Sequence, residues 1–388
     1  MTETPPATAP AMPASTDILI IGAGPVGMTL ALALADGPYT VRLVDRRPLA
    51  AQATDPRALA LSHGARQLLE QLQAWPHRAA TPIENIHVSQ QGGFGRTVID
   101  RADYDLPALG YVLRYRDLSG ALAARLPPHG VAEGAEILDI DRSGTQIRVS
   151  LRQGGQVETL ATRLLVHAEG TPGEDPAVRV SDYHQHAVIA EVTPSPAHGR
   201  RAWERFTPDG PLALLPLGDE YSVVFTLPPD KADRVMALDD AHFLAALQTQ
   251  FGARLRFTAA GPRSRFPLAL RLREELVQGC EVWIGNTAQT LHPVSGQGFN
   301  LGLRDAWELA AALLAAGLDP ATLAAYGRAR RLDRQGGAWF TDRIVRTFSN
   351  DIGPLRLARG LGLLALDLFP PARHFVARRM IWGARAWP

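Results

Sequence analysis

Two glycine-rich turns lie at opposite ends of this chain, and both have the residue types that let a backbone bind an anion. The C-terminal one is in WIGNTAQTLHPVSGQGFNLGLRD, residues 283–305. A short apolar strand end (Val282, Trp283, Ile284) runs into a loop with Pro293, Gly296 and Gly298. An apolar helical pattern follows through Leu301, Leu303, Trp307, Leu309 and Leu313. A glycine loop that opens a helix leaves backbone N–H groups unpaired, and the helix dipole adds partial positive charge. The N-terminal turn reads Gly22-x-Gly24-x-x-Gly27 after the apolar run Ile18–Ile21. A helical stretch from Met28 to Ala35 follows it, then the strand Val41–Val44, which ends at Asp45. In that order the glycines admit a pyrophosphate, and the acid is placed to accept from a ribose hydroxyl. Two such turns in one chain point to one long ligand held at both ends, and FAD has that form.

The elements that must position these turns divide the chain. Strand–helix alternation to about residue 75 forms a first nucleotide-binding half. Residues 116–170 add a helix (Leu118–Leu126) and strands at Ile137–Asp141, Ile147–Leu151 and Leu164–Val166. Residues 83–115 and 178–275 read as β-rich, with strands at Ala187–Val192, Leu212–Pro216 and Tyr221–Leu227 between Pro and Gly turns. The expected fold class is α/β: a Rossmann-like FAD-binding domain, discontinuous over 16–82, 116–177 and 276–350, with an inserted β-rich substrate domain over 83–115 and 178–275. Residues 351–388 form a C-terminal helical segment. Residues 1–15 are Pro/Ala/Thr-rich without a basic start, which reads as a disordered tail and not a signal peptide.

Composition narrows the function classes. A hydrophobic fraction of 46% with 20% charged residues is that of an ordinary globular chain, and a net charge of +1 argues against a general nucleic-acid binder. Cys280 is the lone cysteine, so neither an internal disulfide nor a multi-cysteine metal site can form, and no metal is expected. His184 and His186 lack the partners a metal site requires. No run of 18 apolar residues is long enough to span a membrane.

Three segments carry a family resemblance: Asp55-Pro56-Arg57-Ala58-Leu59-Ala60-Leu61; Ile86-His87-Val88-Ser89 with Gly92 to Gly95; and Gly285-Asn286-Thr287-Ala288-Gln289-Thr290-Leu291-His292-Pro293 with Gly296-Gln297-Gly298-Phe299-Asn300-Leu301-Gly302. On these the chain resembles the class A flavoprotein monooxygenases and, within them, the ubiquinone-biosynthesis hydroxylases, over about residues 16 to 383. The asparagine form A-Q-T-L-H-P, and the run from Thr341-Asp342 to Phe369-Pro370-Pro371-Ala372-Arg373, are similar to the 2-polyprenyl-6-methoxyphenol hydroxylases. Two positions depart from the family pattern. Glu169, in His167-Ala168-Glu169-Gly170-Thr171, stands where an A-D-G aspartate is usual, and Asn286 stands where G-D is usual. An amide both donates and accepts, so contact with a ribitol hydroxyl survives at Asn286.

The resemblance implies FAD as cofactor, NAD(P)H as a transiently bound co-substrate, and O2. A C4a-hydroperoxyflavin then hydroxylates a polyprenyl phenol in ubiquinone biosynthesis. Only one G-x-G-x-x-G exists, so no second dinucleotide domain is expected. The cofactor-binding candidates are Gly22, Gly24, Gly27, Asp45, Arg57, Arg116, Asn286, Gly296, Gly298, Phe299 and Asn300. The N–H groups around Gly296 to Phe299 would face the negative charge that develops at the flavin N1 and C2=O. Pro293 would turn its carbonyl toward substrate or flavin. His292 is either a substrate-side polar group or a residue that fixes the loop. Arg57 is either a flavin contact or a solvated arginine, and Arg116 resembles the arginine before the helix that backs the pyrophosphate. Asp305 reads as a surface or cap acid and His87 as a core histidine. No base for the phenol stands out. The tail mixes Arg356, Arg359, Arg373, Arg378 and Arg379 with Leu361, Leu363, Leu364 and Phe369, which suits either a helix on an anionic bilayer or a cover for the FAD-binding domain. The expected location is cytoplasmic, with a peripheral contact on the inner face of the cytoplasmic membrane and with other ubiquinone-biosynthesis proteins as partners. The alternatives are another ring position, a soluble phenol, a non-catalytic flavin-binding subunit of a quinone-synthesis complex, or a plain NAD dehydrogenase.

Overall fold

In the computed structural model, which describes residues 14–128, 130–348, 350 and 353–382, two large sheets face different tasks. The first has eight strands. At its centre Ala14–Ile21 runs parallel to Val41–Asp45 on one side and to Gln156–His167 on the other, and Glu281–Trp283 continues the sheet beyond. Ile18, Leu19 and Ile20 are all buried, because helices cover one face and the hairpin Ile147–Gln153 with Glu136–Asp141 covers the other. That is why the strand is a continuous apolar run without alternation. The helix Pro25–Ala33 is likewise apolar nearly all round, since it is packed between the sheet and the helix Gly298–Ala316. Of the tail expected over 1–15, residues 1–13 lie outside the described residues, while Ala14 and Ser15 already belong to the first strand.

The second sheet has nine strands, in the order Gln289–Thr290, Ser264–Arg273, Val178–Ser195, Glu220–Leu227, Gly210–Leu217, Arg201–Thr207, Asn85–Gln90 and Arg96–Asp100, with Arg256–Ala260 beside the third. All its pairings are antiparallel except that of Arg201–Thr207 with Asn85–Gln90, where the chain returns from far upstream. One face is closed by two helices, Pro229–Met236 and Asp240–Phe251, which the β-rich reading of 178–275 leaves out. The signal was present: Asp239 caps the second helix by accepting from the His242 N–H. A small third sheet pairs Gly110–Arg114 with Ala58–Ser62 on one side and Thr81–Ile83 on the other, and it joins the two halves.

The C-terminal segment forms two helices, Gly353–Leu368 and Pro370–Trp382, that cover the edge of the second sheet. Gln90 donates to the Arg356 carbonyl at 3.1 Å, and the His374 ring meets the Tyr104 hydroxyl at 2.9 Å. The backbones touch at Gly95, where a Cβ would come within 2.2 Å of the Gly360 carbonyl oxygen. Gly95→Val should therefore push the helix Gly353–Leu368 outward, at a cost of about 1–3 kcal/mol. Limited proteolysis reads this as faster cutting within the two terminal helices, while the rest of the chain resists as before. Unchanged cutting would mean that the helices are held elsewhere.

Candidate functional site

The glycine motifs meet. Val26, in the first turn of the helix Pro25–Ala33, packs against Gly285 and Gly302, where added Cβ atoms would lie 3.2 Å and 3.0 Å from its methyl groups. A third segment closes the junction. Gly22 (φ +106°) presses on the Ala168 carbonyl, with room for no Cβ, and Asn286 donates through Nδ2 to the Thr171 hydroxyl at 3.3 Å. The N-terminal turn, the His167–Thr171 segment and the Gly285–Gly302 loop thus form one surface, although the chain sets them far apart.

Two helices start at that surface without protection. Gly24 caps the helix Pro25–Ala33 and Gln297 caps the helix Gly298–Ala316. Neither gives a side-chain cap, and neither first turn contains an acid. Their leading N–H groups are orphan donors at the positive ends of two dipoles, and this suits a pyrophosphate at one and an electron-rich ring edge at the other. A Cβ on Gly24 or Gly298 would meet nothing nearer than 3.4 Å and 3.9 Å, so these positions leave open approach where Gly22 and Gly27 are demanded by packing. The donor set fits FAD.

The polar candidates are placed as follows. Asp45 is buried, and its carboxylate accepts from the Ala23 and Arg47 N–H groups, each at 2.8 Å, which ties the glycine turn to the strand end. Arg57 pairs with Asp55 through both carboxylate oxygens, at 2.9 and 2.6 Å, and lies 4.8 Å over the Tyr115 ring. The Tyr115 hydroxyl is the nearest atom to Gly24, so Arg57 and Tyr115 roof the pyrophosphate turn together. Sequence reasoning passed over Tyr115. Arg116, beside it, is half exposed, with Asp117 the nearest acid at 3.9 Å.

In the loop, Pro293 is exposed and its carbonyl accepts from the Gly296 N–H at 2.8 Å, so that carbonyl and that donor satisfy each other within the turn. The Gln297, Gly298 and Phe299 end of the motif contains the uncapped helix start. Asn300 is buried and fully engaged. It accepts from the Ser62 N–H and donates to the carbonyls of Ala60 and Gly296, which clips the loop to the Ala58–Ser62 strand. His292 is buried. Its Nδ1 accepts from the Val294 N–H at 3.2 Å, its Nε2 has no partner among the described residues, and its ring stands edge-on to Tyr183. Burial lowers its pKa to about 3, so the ring is neutral at physiological pH.

Asp305 is no surface acid. It is fully buried, accepts from the Gly285 N–H at 3.1 Å and from Gln289 Nε2 at 2.5 Å, and takes the Arg330 guanidinium at 2.9 Å on its other oxygen. Arg330 also binds Asp333, which takes Arg304. Arg334 holds Gln289 and the carbonyls of Arg273 and Ala288. Arg330, Asp333 and Arg334 come from one side of the long helix Pro320–Phe348. Nothing local in the sequence distinguishes them from a solvated face.

A second buried set lies under His167–Thr171. His167 stacks on Trp283 and bonds Glu281 at 2.9 Å, with Glu169 at 3.4 Å on its other nitrogen. Burial works against the Glu281 charge, yet His167 and Arg142 hold its carboxyl down to about 2. Glu169 itself is exposed. His87 is buried against Trp203 on the far face of the second sheet.

Comparison with known proteins agrees with this geometry. The FAD binding domain family matches residues 15–335. The chain is 33% identical to the ubiquinone hydroxylase UbiL of Rhodospirillum rubrum over 96% of this chain and 91% of that one. It is 29% identical to the 3-demethoxyubiquinol 3-hydroxylase of Escherichia coli, over 91% and 95%. Its fold superposes on the p-nitrophenol 4-monooxygenase PnpA of Pseudomonas putida with a TM-score of 0.79, at 17% identity, over 96% of this chain and 100% of that one.

The Asp305 cluster gives a prediction. Asp305→Ala leaves the Arg330 guanidinium buried with one carboxylate fewer and frees the Gly285 loop. The expected loss is about 3–5 kcal/mol, with a lower melting temperature and a lower flavin-to-protein absorbance ratio in the purified protein. A variant with unchanged melting and flavin content would show that the loop is held without Asp305.

Proposed function

We propose a substrate and a setting for a chain that belongs to the FAD binding domain family and is an FAD-dependent aromatic monooxygenase. The substrate is a polyprenylated methoxyphenol of ubiquinone biosynthesis, hydroxylated with NAD(P)H and O2. Two relatives over nearly the whole chain are named for ubiquinone-pathway hydroxylation. The single structural observation that supports a lipid substrate is a cleft of about 250 Å³ beside the flavin loop. Gln297, Leu301, Phe340, Phe375, Val376 and Met380 line it, with Arg304, Asp333 and Arg379 among the polar groups. Gly336 and Gly337 of the long helix also line it, and a Cβ on Gly336 would come within 3.2 Å of the Arg379 guanidinium. Such a wall suits a prenyl tail whose ring lies toward the loop.

Bound FAD supplies the activation of O2 and the oxygen transfer. The chain binds the cofactor at two helix starts, orients the ring with the Gly296–Asn300 loop, and covers the site with sheet and helices. Gly336→Leu should fill the cleft. In a purified-enzyme assay of phenol-stimulated NAD(P)H oxidation, its KM for a prenylated 2-methoxyphenol should rise about tenfold, the equivalent of about 1.4 kcal/mol. The KM for bare 2-methoxyphenol should stay unchanged. Equal effects on both phenols would place the tail elsewhere, and a wild type stimulated by neither would point to a flavin-binding subunit without turnover.

The setting follows from the tail. No helix among the described residues is long and apolar enough to cross a membrane. Leu357, Leu361, Leu368, Phe369 and Phe375 nevertheless stand exposed on the terminal helices, and Trp339, 63% exposed, stands at the mouth of the cleft. Arg343 and Arg379 lie over the Trp339 and Phe375 rings. Apolar side chains rimmed by arginine suit the headgroup region of an anionic bilayer, here the inner face of the cytoplasmic membrane. The wild type should float with phosphatidylglycerol vesicles, and the Leu368→Asp, Phe369→Asp double variant should stay behind. Wild type that stays behind as well would remove the membrane contact.

A further inference from the structure

The second sheet turns one face to the flavin loop, and Glu191, Glu204 and Glu220 stand on it, with Glu191 held by the Arg114 guanidinium. Ile86 and Ile99 lie opposite each other in the strands Asn85–Gln90 and Arg96–Asp100, and both line a small apolar cavity closed by Gly296, Gln297 and Asn300. In register, Ala202 lies beside Ile86, Glu204 beside Val88, and Phe206 beside Gln90. Side chains two residues apart on a strand share a face at a step of roughly 6.6 Å. Glu204 is thus one step along from the cavity wall. Phe206, one step further, packs at 4.0 Å on Phe348 of the long helix, which closes this end. On the other flank Glu204 pairs with Ala213.

Resting on the phenol reading above, we propose that Glu204 is the residue that takes the phenolic hydroxyl of the substrate and accepts its proton during ring hydroxylation. The geometry carries it. Glu204 Oε1 is sealed from solvent and has no hydrogen-bond partner among the described residues, whereas the buried acids Asp45, Glu281, Asp305 and Asp333 are all engaged. A sealed carboxyl oxygen left without a partner is costly, and a substrate hydroxyl would relieve that cost. Its neighbours in the sheet, Val88, Ala202, Phe206 and Ala213, do not titrate. Across the gap, Asp342 and Arg346 of the long helix pair with each other, and Arg359 of the helix Gly353–Leu368 bonds the carbonyls of Phe348 and Asn350. Burial alone therefore raises the Glu204 carboxyl to about 8. That brings it close to the proton affinity of a phenol, as a base working near neutral pH requires.

The step balances with what the reaction already supplies. The phenolic O–H breaks and its proton passes to Glu204. The electron pair enters the ring and drives C–O bond formation at an ortho or para carbon with one oxygen atom of O2, whose O–O bond breaks while the other atom leaves as water at the expense of the two electrons from NAD(P)H. The ring then loses its own hydrogen as it regains aromaticity, and Glu204 returns its proton to water as product leaves.

The test uses the holoenzyme, with bare 2-methoxyphenol as probe. Its dissociation constant is read from the perturbed flavin absorbance between pH 6 and 9. The wild type should bind more tightly as pH rises through about 8. Glu204→Gln, with flavin content and melting temperature unchanged, should bind about tenfold more weakly with no dependence on pH, and should form about 10²-fold less hydroxylated product per NAD(P)H consumed. Glu204→Asp keeps a carboxylate and should restore the pH limb. A wild type that binds the phenol with a flat pH profile, or a Glu204→Gln variant that keeps the limb, would overturn the role of Glu204 and leave the phenol reading intact. A wild type that binds no phenol would overturn both.

Discussion

The buried carboxylate of Asp305 is the point on which the flavin loop depends. The loop from Gly285 to Asn300 has almost no regular structure, only two short 3-10 turns and a two-residue strand, so its shape must be imposed by side chains. Asp305 does this from about two turns into the following helix. It holds the start of the loop by the Gly285 N–H and its middle by Gln289, and it is held in turn by Arg330. A buried ion pair of this kind adds little net stability over an apolar pair, because desolvation offsets much of the attraction. Its value here is geometric: from the long helix Arg330 holds Asp305 while Arg334 bonds Gln289 and the Ala288 carbonyl, so the loop cannot shift without breaking charged contacts in a dry interior.

Close packing fixes the other half of the site. The helix Pro25–Ala33 approaches the helix Gly298–Ala316 at Val26, and the approach is permitted only because Gly285 and Gly302 present no side chain. This contact brings the two uncapped helix starts onto one surface. Arginine-rich clamps below and glycine contacts above thus leave the donors facing a shared space, and the backbone itself becomes the main electrostatic element of the site.

These relations explain what the sequence could and could not show. The glycine turns and the strand before each were legible because local backbone demands select residue types: a turn that needs no Cβ, a helix start, an acid at a strand end. The strand expected at Ile137–Asp141 is found at Glu136–Asp141, and Tyr221–Leu227 lies within Glu220–Leu227. Asp305, Arg330 and Tyr115 were not legible, because their roles come from long-range packing that no spacing records. Pro229–Met236 and Asp240–Phe251 were missed for another reason. Their short amphipathic stretches sit between strong strands, and the β pattern on either side dominated the reading.

A division of labour follows from where the charges are used. Around the loop nearly every polar side chain is engaged in holding protein to protein: Asn300 to the backbone of the Ala58–Ser62 strand, His292 to the Val294 N–H, Arg334 to two carbonyls. Burial also keeps His292 neutral, so the loop offers no proton acceptor that works near neutral pH. On the reading proposed above, acid–base work comes from the wall opposite, and the sheet is the better support for it. A strand bonded on both sides holds a side chain more firmly than a loop does, and its alternation lets one face meet the ring while the other is buried under helices. Cofactor handling is thereby assigned to backbone donors fixed by buried ion pairs, and recognition of the ring to a few side chains on a rigid sheet face. The two can change independently, because the residues that shape the loop are not those that would touch the substrate.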